Sequence, residues 1–183
     1  VDDTIITQLR EFVKRMIKGY KDVEYHNLEH AYHVIISTNK LMDLMLSSVD
    51  PVTGKRVSAA KLPPTFGLRN DPISLLALIF AALVHDVEHQ GIPNRQLSVE
   101  NDRLAILYND HSIAENWSLY VAFSELLQDD FTALRTVMFD DPTNTSEKYK
   151  VFRRVAVNLV LQTDIASPER TQIAKSKWKE AFG

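Results

Sequence analysis

Residues 80–91 read "FAALVHDVEHQG". A run of apolar side chains ends in His85, Asp86 and His89, so ionisable groups close a segment whose composition belongs in a core. The wider stretch "LLALIFAALV" at 75–84 is apolar on every side, the mark of a buried helix, and is about half the length that a bilayer-spanning helix of ~20 residues needs. Asp71-Pro72 supplies an N-cap followed by proline in the first turn, and the spacing predicts a core helix from there to about 85–88.

The flanking segments carry the three-and-four spacing of amphipathic helices. "DDTIITQLREFVKRMIKG" has apolar residues at 5, 6, 9, 12, 13, 16 and 17, which predicts a helix over 4–18 with Gly19 placed to stop it. "NLEHAYHVIISTNKLMDLMLSS" predicts a second over about 27–47. The stretch around 50–70 has proline and glycine turns and no sustained period, and reads as a long loop. Beyond "HQGIPN", which ends the core helix, "SVENDRLAILYND" predicts a helix capped by Ser98 or by Asn101-Asp102, and "SIAENWSLYVAFSELLQ" another. "DDFTALRTVMF" gives a short helix stopped near Asp141-Pro142; a long one spans 145–163, and Pro168 opens the last. No long region alternates as a strand would, so the fold class is all-α: a compact multi-helix bundle, one domain over 1–183.

Composition narrows the function classes. The chain has 183 residues, 45% apolar and 25% charged, and a typical domain of this length buries roughly two-thirds of its unfolded surface. A net charge of −3 with pI near 6.1 offers no footprint for nucleic acid and none for direct membrane insertion. With no cysteine, disulfides and thiolate chemistry are excluded, which suits a cytoplasmic protein, and any metal must be held by N and O donors. The chain opens on Val1 without a leader pattern and reads as an excised piece or a processed product, so an anchor to the cytosolic face of a membrane stays open for the parent.

His26 and His30 stand four apart, as do His85 and His89, with Asp86 beside His85; Asp164 ends the apolar helix "FRRVAVNLVLQTD". Unpaired charges at such places are costly, and a divalent cation removes the cost. Imidazoles and carboxylates from three helices make an N,O site, and a carboxylate such as Asp86 has two oxygens with which to bridge a second ion. Two ions sharing a water and facing a phosphate point to phosphoester hydrolysis. His33 and His111 read as ordinary histidines, and Asp164 alone could equally be a helix-ending residue.

Four blocks, "YHNLEHA" (25–31), "HDVEHQGIPN" (85–94), "LYNDHSIAEN" (107–116) and "QTD" (162–164), resemble in order and spacing the signatures of the class I cyclic nucleotide phosphodiesterase catalytic domain, within the HD superfamily of metal-dependent phosphohydrolases. The resemblance implies that His30, His85, Asp86 and Asp164 hold the tighter cation, zinc, and that Asp86 bridges to a second, magnesium or manganese. It implies His26 as the general acid toward the leaving 3′ oxygen, with His89 and Glu115 supporting the metal and its water network. The implied reaction is in-line attack of metal-activated hydroxide on cyclic AMP or cyclic GMP, giving the 5′-nucleotide. Asn109, Asp110 and Asn116 would tie helices together through buried hydrogen bonds.

The chain departs from the family pattern in three places. Gln90 replaces a proline in a turn; Trp117-Ser118 stand where the family has histidine, which would rearrange contacts near the phosphate; and only 19 residues follow Asp164, none matching the family's purine-binding glutamine and aromatic residues. An apolar surface is therefore expected where further helices pack, open to self-association or a partner domain. The competing readings are another HD-type nucleotide phosphohydrolase and a regulatory or dimerising module that keeps its metal.

Overall fold

Most of the helices begin where a side chain takes up a free backbone amide. Asp2 Oδ1 accepts from Thr4 N (2.8 Å) ahead of α1, Asp3–Gly19, and Asn27 Oδ1 accepts from His30 N (3.1 Å) ahead of α2, Leu28–Leu46. Asp71 accepts from Ser74 N (3.0 Å) and Pro72 opens α3, Pro72–Val84. α4 is Asn94–Val99; Asp102 caps α5, Arg103–Tyr108, through Leu104 N (2.8 Å). α6 is Ile113–Leu126 and α7 Thr132–Phe139. Ser146 caps α8, Glu147–Leu161, through Tyr149 N (3.2 Å), and α9 is Pro168–Phe182.

The computed structural model describes residues 2–49, 54–56, 65 and 67–182. Among them the fold is all-α, with 3₁₀ turns at Leu68–Asn70 and Asp129–Phe131 and a single bridge between Val49 and Arg56. Most of the expected long loop, residues 50–53, 57–64 and 66, lies outside the described residues. At its far end Arg69 donates to the carbonyls of Met45 and Leu46, closing the C-terminus of α2.

Of the two caps foreseen for "SVENDRLAILYND", Asp102 is the one that starts the helix, α5; Ser98 lies inside the separate α4 and donates to Asn94 O, and left-handed Asn101 (φ 53°) divides the two. Gly19 is the last residue of α1 and has no left-handed φ. A Cβ there would stand 2.9 Å from Val87 Cγ1, and its carbonyl accepts from Glu88 N at 3.0 Å, so glycine is required by close approach rather than by a turn.

α3 runs through the centre, packed against α2 and α8. Its Ala77, Phe80, Ala81 and Val84 join buried residues of α1, α6, α7 and α8 in the main core. Phe80 is the hub: its ring lies 5.9 Å from Phe12, 5.4 Å from Phe123 and 5.0 Å from Phe152. Leu97, Leu104, Ala105 and Ile113 form a smaller cluster that fastens α4 and α5 to α6. Buried Arg135 donates to the carbonyls of Leu126 (2.7 Å) and Gln128 (2.6 Å), taking up groups that the end of α6 leaves open. Phe80→Ala is expected to lower unfolding stability by about 3–5 kcal/mol, read from chemical denaturation; a loss under about 1 kcal/mol would contradict the central place given to this ring.

Candidate metal centre

The end of α3 is held from three sides. Tyr20 donates to Leu83 O (2.8 Å), buried Ser118 donates to Val87 O (2.7 Å), and Glu88 N is bonded to Gly19. The chain then turns through left-handed Glu88 (φ 63°) and Gly91 (φ 72°), where a Cβ would meet Val23 at 3.1 Å. His85 and Asp86 are thereby fixed as buried groups. His26 precedes α2 and His30 lies in its first turn, spaced by the capping Asn27, which also donates to Val23 O (2.9 Å).

Three imidazoles converge on Asp86. His26 Nδ1 is 2.9 Å, His85 Nε2 3.2 Å and His30 Nε2 3.6 Å from Asp86 Oδ2, and the last two nitrogens are 3.3 Å apart. His85 Nδ1 is bonded to Ala82 O (3.1 Å), a carbonyl that only accepts, so the network assigns the proton to Nδ1. In neutral His85 the Nε2 lone pair then faces a carboxylate oxygen and a second imidazole nitrogen, an arrangement that a proton or a cation must reconcile. His30, His85 and Asp86 present one donor atom each within 4.8 Å, and this N,N,O set fits a divalent transition metal.

The charge balance agrees. Burial works to raise the Asp86 carboxyl, but hydrogen bonds and charges from His85 and His26 outweigh it and bring it down to about 2. Burial likewise works against the charged form of His85, yet the bond to Asp86 prevails and raises it. Burial lowers His30. A bound cation takes the place of the protons these groups share, so its binding releases them.

Around this cluster lies a cavity of about 910 Å³. His89 stacks on His26 with ring centres 3.9 Å apart and accepts from Gly91 N (2.9 Å); burial, with the neighbouring His26, pushes it down to about 4. Asp164, just past α8, is buried and lines the cavity, outside the three-atom set. Glu115 in the first turn of α6 lines it too, raised by burial and by the charges of Asp164 and Asp86. Asn94, not singled out in the sequence, donates to Glu115 Oε2 (2.8 Å) and accepts from Ala114 N (2.9 Å). Its signal was the last letter of "HDVEHQGIPN".

A model of the 3'5'-cyclic nucleotide phosphodiesterase family matches residues 25–177. The chain belongs to this family. It is 36% identical over 151 residues to the probable 3',5'-cyclic-AMP phosphodiesterase pde-4 of Caenorhabditis elegans, a match covering 80% of this chain and 18% of that protein. Over 148 residues it is 31% identical to 3',5'-cyclic-AMP phosphodiesterase 4C of Mus musculus, covering 80% and 18%. The solved phosphodiesterase domain of the RhoPDE fusion protein from the choanoflagellate Salpingoeca rosetta superposes with a TM-score of 0.68 at 28% identity, covering 97% of this chain and 46% of that domain. The chain thus spans about a fifth of these curated relatives' length and less than half of the solved phosphodiesterase domain.

Two of the departures from the phosphodiesterase pattern, at Gln90 and at Trp117-Ser118, lie outside the cavity lining. Trp117 stacks on Tyr120 (5.3 Å) beneath Arg103 and packs against the smaller cluster, while Ser118 donates to Val87 O, next to Asp86. Gln90 is exposed in its turn. Asn109 and Asp110 are exposed and left-handed, so they shape the backbone between α5 and α6 instead of forming buried bonds; Asn116 donates to the carbonyls of His111 and Ser112 at the start of its own helix, so it too joins no two helices through a buried bond. His33 is exposed, and His111 meets Glu169 at 3.5 Å on the surface.

One pH dependence follows. His89 titrates at about 4 when folded against 6.5 when free, so the unfolded chain takes the proton first, and the stability contributed by neutral His89 is complete above 6.5 and lost as pH falls toward 4. In chelator, wild type should lose on the order of 1 kcal/mol more than His89→Gln between pH 7 and pH 5, allowing for the ring's partial exposure. Equal losses in denaturation experiments would contradict it.

Proposed function

We propose that this chain carries the metal-binding part of a catalytic domain that opens a 3',5'-cyclic nucleotide, cyclic AMP or cyclic GMP, to the 5'-nucleotide in the cytoplasm or at the cytosolic face of a membrane. The reading rests above all on one observation: His26 is hydrogen-bonded to Asp86 at the wall of the cavity, beside the His30, His85 and Asp86 donor set. A purely structural metal site has no need of that additional imidazole. The shared core of α1, α3, α6, α7 and α8 supports reading residues 1–183 as one folding unit.

His30, His85, Asp86 and Asp164 would hold the tighter cation, zinc, with Asp86 also serving a second, magnesium or manganese. When bound, such a pair supplies a nucleophile from water at neutral pH and neutralises charge on the phosphate oxygens. The remaining work belongs to the protein. His26 Nδ1 is committed to Asp86, so proton donation to the departing 3′ oxygen falls to Nε2. His89, stacked on the His26 ring, keeps that nitrogen aimed, and Glu115, also lining the cavity, orients water. Val34, Leu78 and Leu159 give the cavity an apolar side on which the nucleotide can rest while water is excluded.

Hydrolysis of cyclic AMP and cyclic GMP with manganese or magnesium present, compared between wild type and His26→Ala, tests the reading. Turnover by wild type and a kcat reduced about 10²- to 10⁴-fold in the variant, with metal content unchanged, is expected. Metal binding without turnover of either nucleotide would overturn the assignment, and equal activity in His26→Ala would remove the general acid.

A further inference from the structure

Resting on that reading, we infer that Asn94 is a positioning residue, whose side-chain amide sets the orientation of the Glu115 carboxylate in the cavity. α4 starts at Asn94, directly after the left-handed turn at Gly91, so its side chain is carried by the segment that also carries His85, Asp86 and His89. Its two ends have different tasks. The carbonyl oxygen accepts from Ala114 N at 2.9 Å, satisfying one of the open amides in the first turn of α6, where Ser112 provides no side-chain cap. The amide nitrogen donates to Glu115 Oε2 at 2.8 Å.

Glu115 is the reason this second bond matters. Its carboxylate lines the cavity and is within electrostatic reach of Asp86, Asp164 and His85. Three like charges so placed repel one another, and a glutamate side chain has three rotatable bonds with which to swing away. Asn94 donates a charge-assisted hydrogen bond to one oxygen, Oε2, and so restrains the carboxylate. The bond also spans from the metal-ligand segment to α6, and together with the Ser118–Val87 bond it sets the spacing between Glu115 and the His85-Asp86 pair. The smaller core of Leu97, Leu104, Ala105 and Ile113 locks α4 and α6 in that register.

Asn94→Asp separates the two tasks. An aspartate retains the acceptor for Ala114 N, and its charge suits a helix N-terminus, but it has no N–H to give and repels Glu115. The expected result is a melting temperature within about 3 °C of wild type, a kcat for cyclic nucleotide at least tenfold lower and a KM changed less than threefold; in a Glu115→Ala background, the same substitution should have no further effect on the residual kcat. Wild-type kcat in Asn94→Asp would reduce Asn94 to a helix cap and overturn the inference. So would an undiminished effect in the Glu115→Ala background, which would point to the added charge itself. Absence of turnover in wild type would instead defeat the proposed function, and the two failures are thus distinct.

Discussion

Asp86 is a carboxylate buried at the end of the most apolar helix of the chain, and the rest of the structure is arranged around keeping it there. A buried carboxylate without partners would be protonated or driven to the surface. Here the end of α3 is pinned by Tyr20, Ser118 and the Gly19–Glu88 bond, and three histidines from two separate segments close on one oxygen. The hydrophobic packing of Phe80 and its neighbours fixes the helix, and the helix in turn fixes the donor atoms. Packing energy is thereby converted into positional accuracy for polar groups that would otherwise repel.

The same economy explains which residues are small. Gly19 lets the end of α1 approach Val87, Gly91 lets the chain reverse against Val23, and the alanines of α3 let α2 and α8 draw near. The close approach of α2 to α3 brings His30 to 3.3 Å from His85 across 55 positions of sequence. Larger side chains at these points would push the imidazoles apart without touching any of them.

Much of this was legible in the sequence. The caps at Asp71 and at Asp102, one of the two offered for its segment, are short polar residues ahead of apolar runs, and each does start its helix. His85-Asp86 stood out because an apolar helix rarely ends in a carboxylate. Four things were hidden. Gly19 looked like a helix stop because sequence shows a missing side chain but not the Val87 methyl that requires its absence. The break between α4 and α5 depends on a left-handed Asn101, a conformation common enough in asparagine to be allowed but not to be foretold. Trp117 and Ser118 were read only as departures from the family pattern, and the sequence did not show that their helical positions turn them toward the smaller cluster and the Val87 carbonyl. Asn94 was missed because its importance comes from a partner 21 positions away.

The central claim is that the His30, His85 and Asp86 donors form a cation site, and elemental analysis of the purified protein tests it most directly. The account predicts about one equivalent of a tightly held transition metal per chain, zinc foremost, that survives dialysis and is lost from a folded His85→Ala variant. Protein that carries no metal, and whose melting temperature does not respond to added zinc or manganese after treatment with chelator, would contradict it.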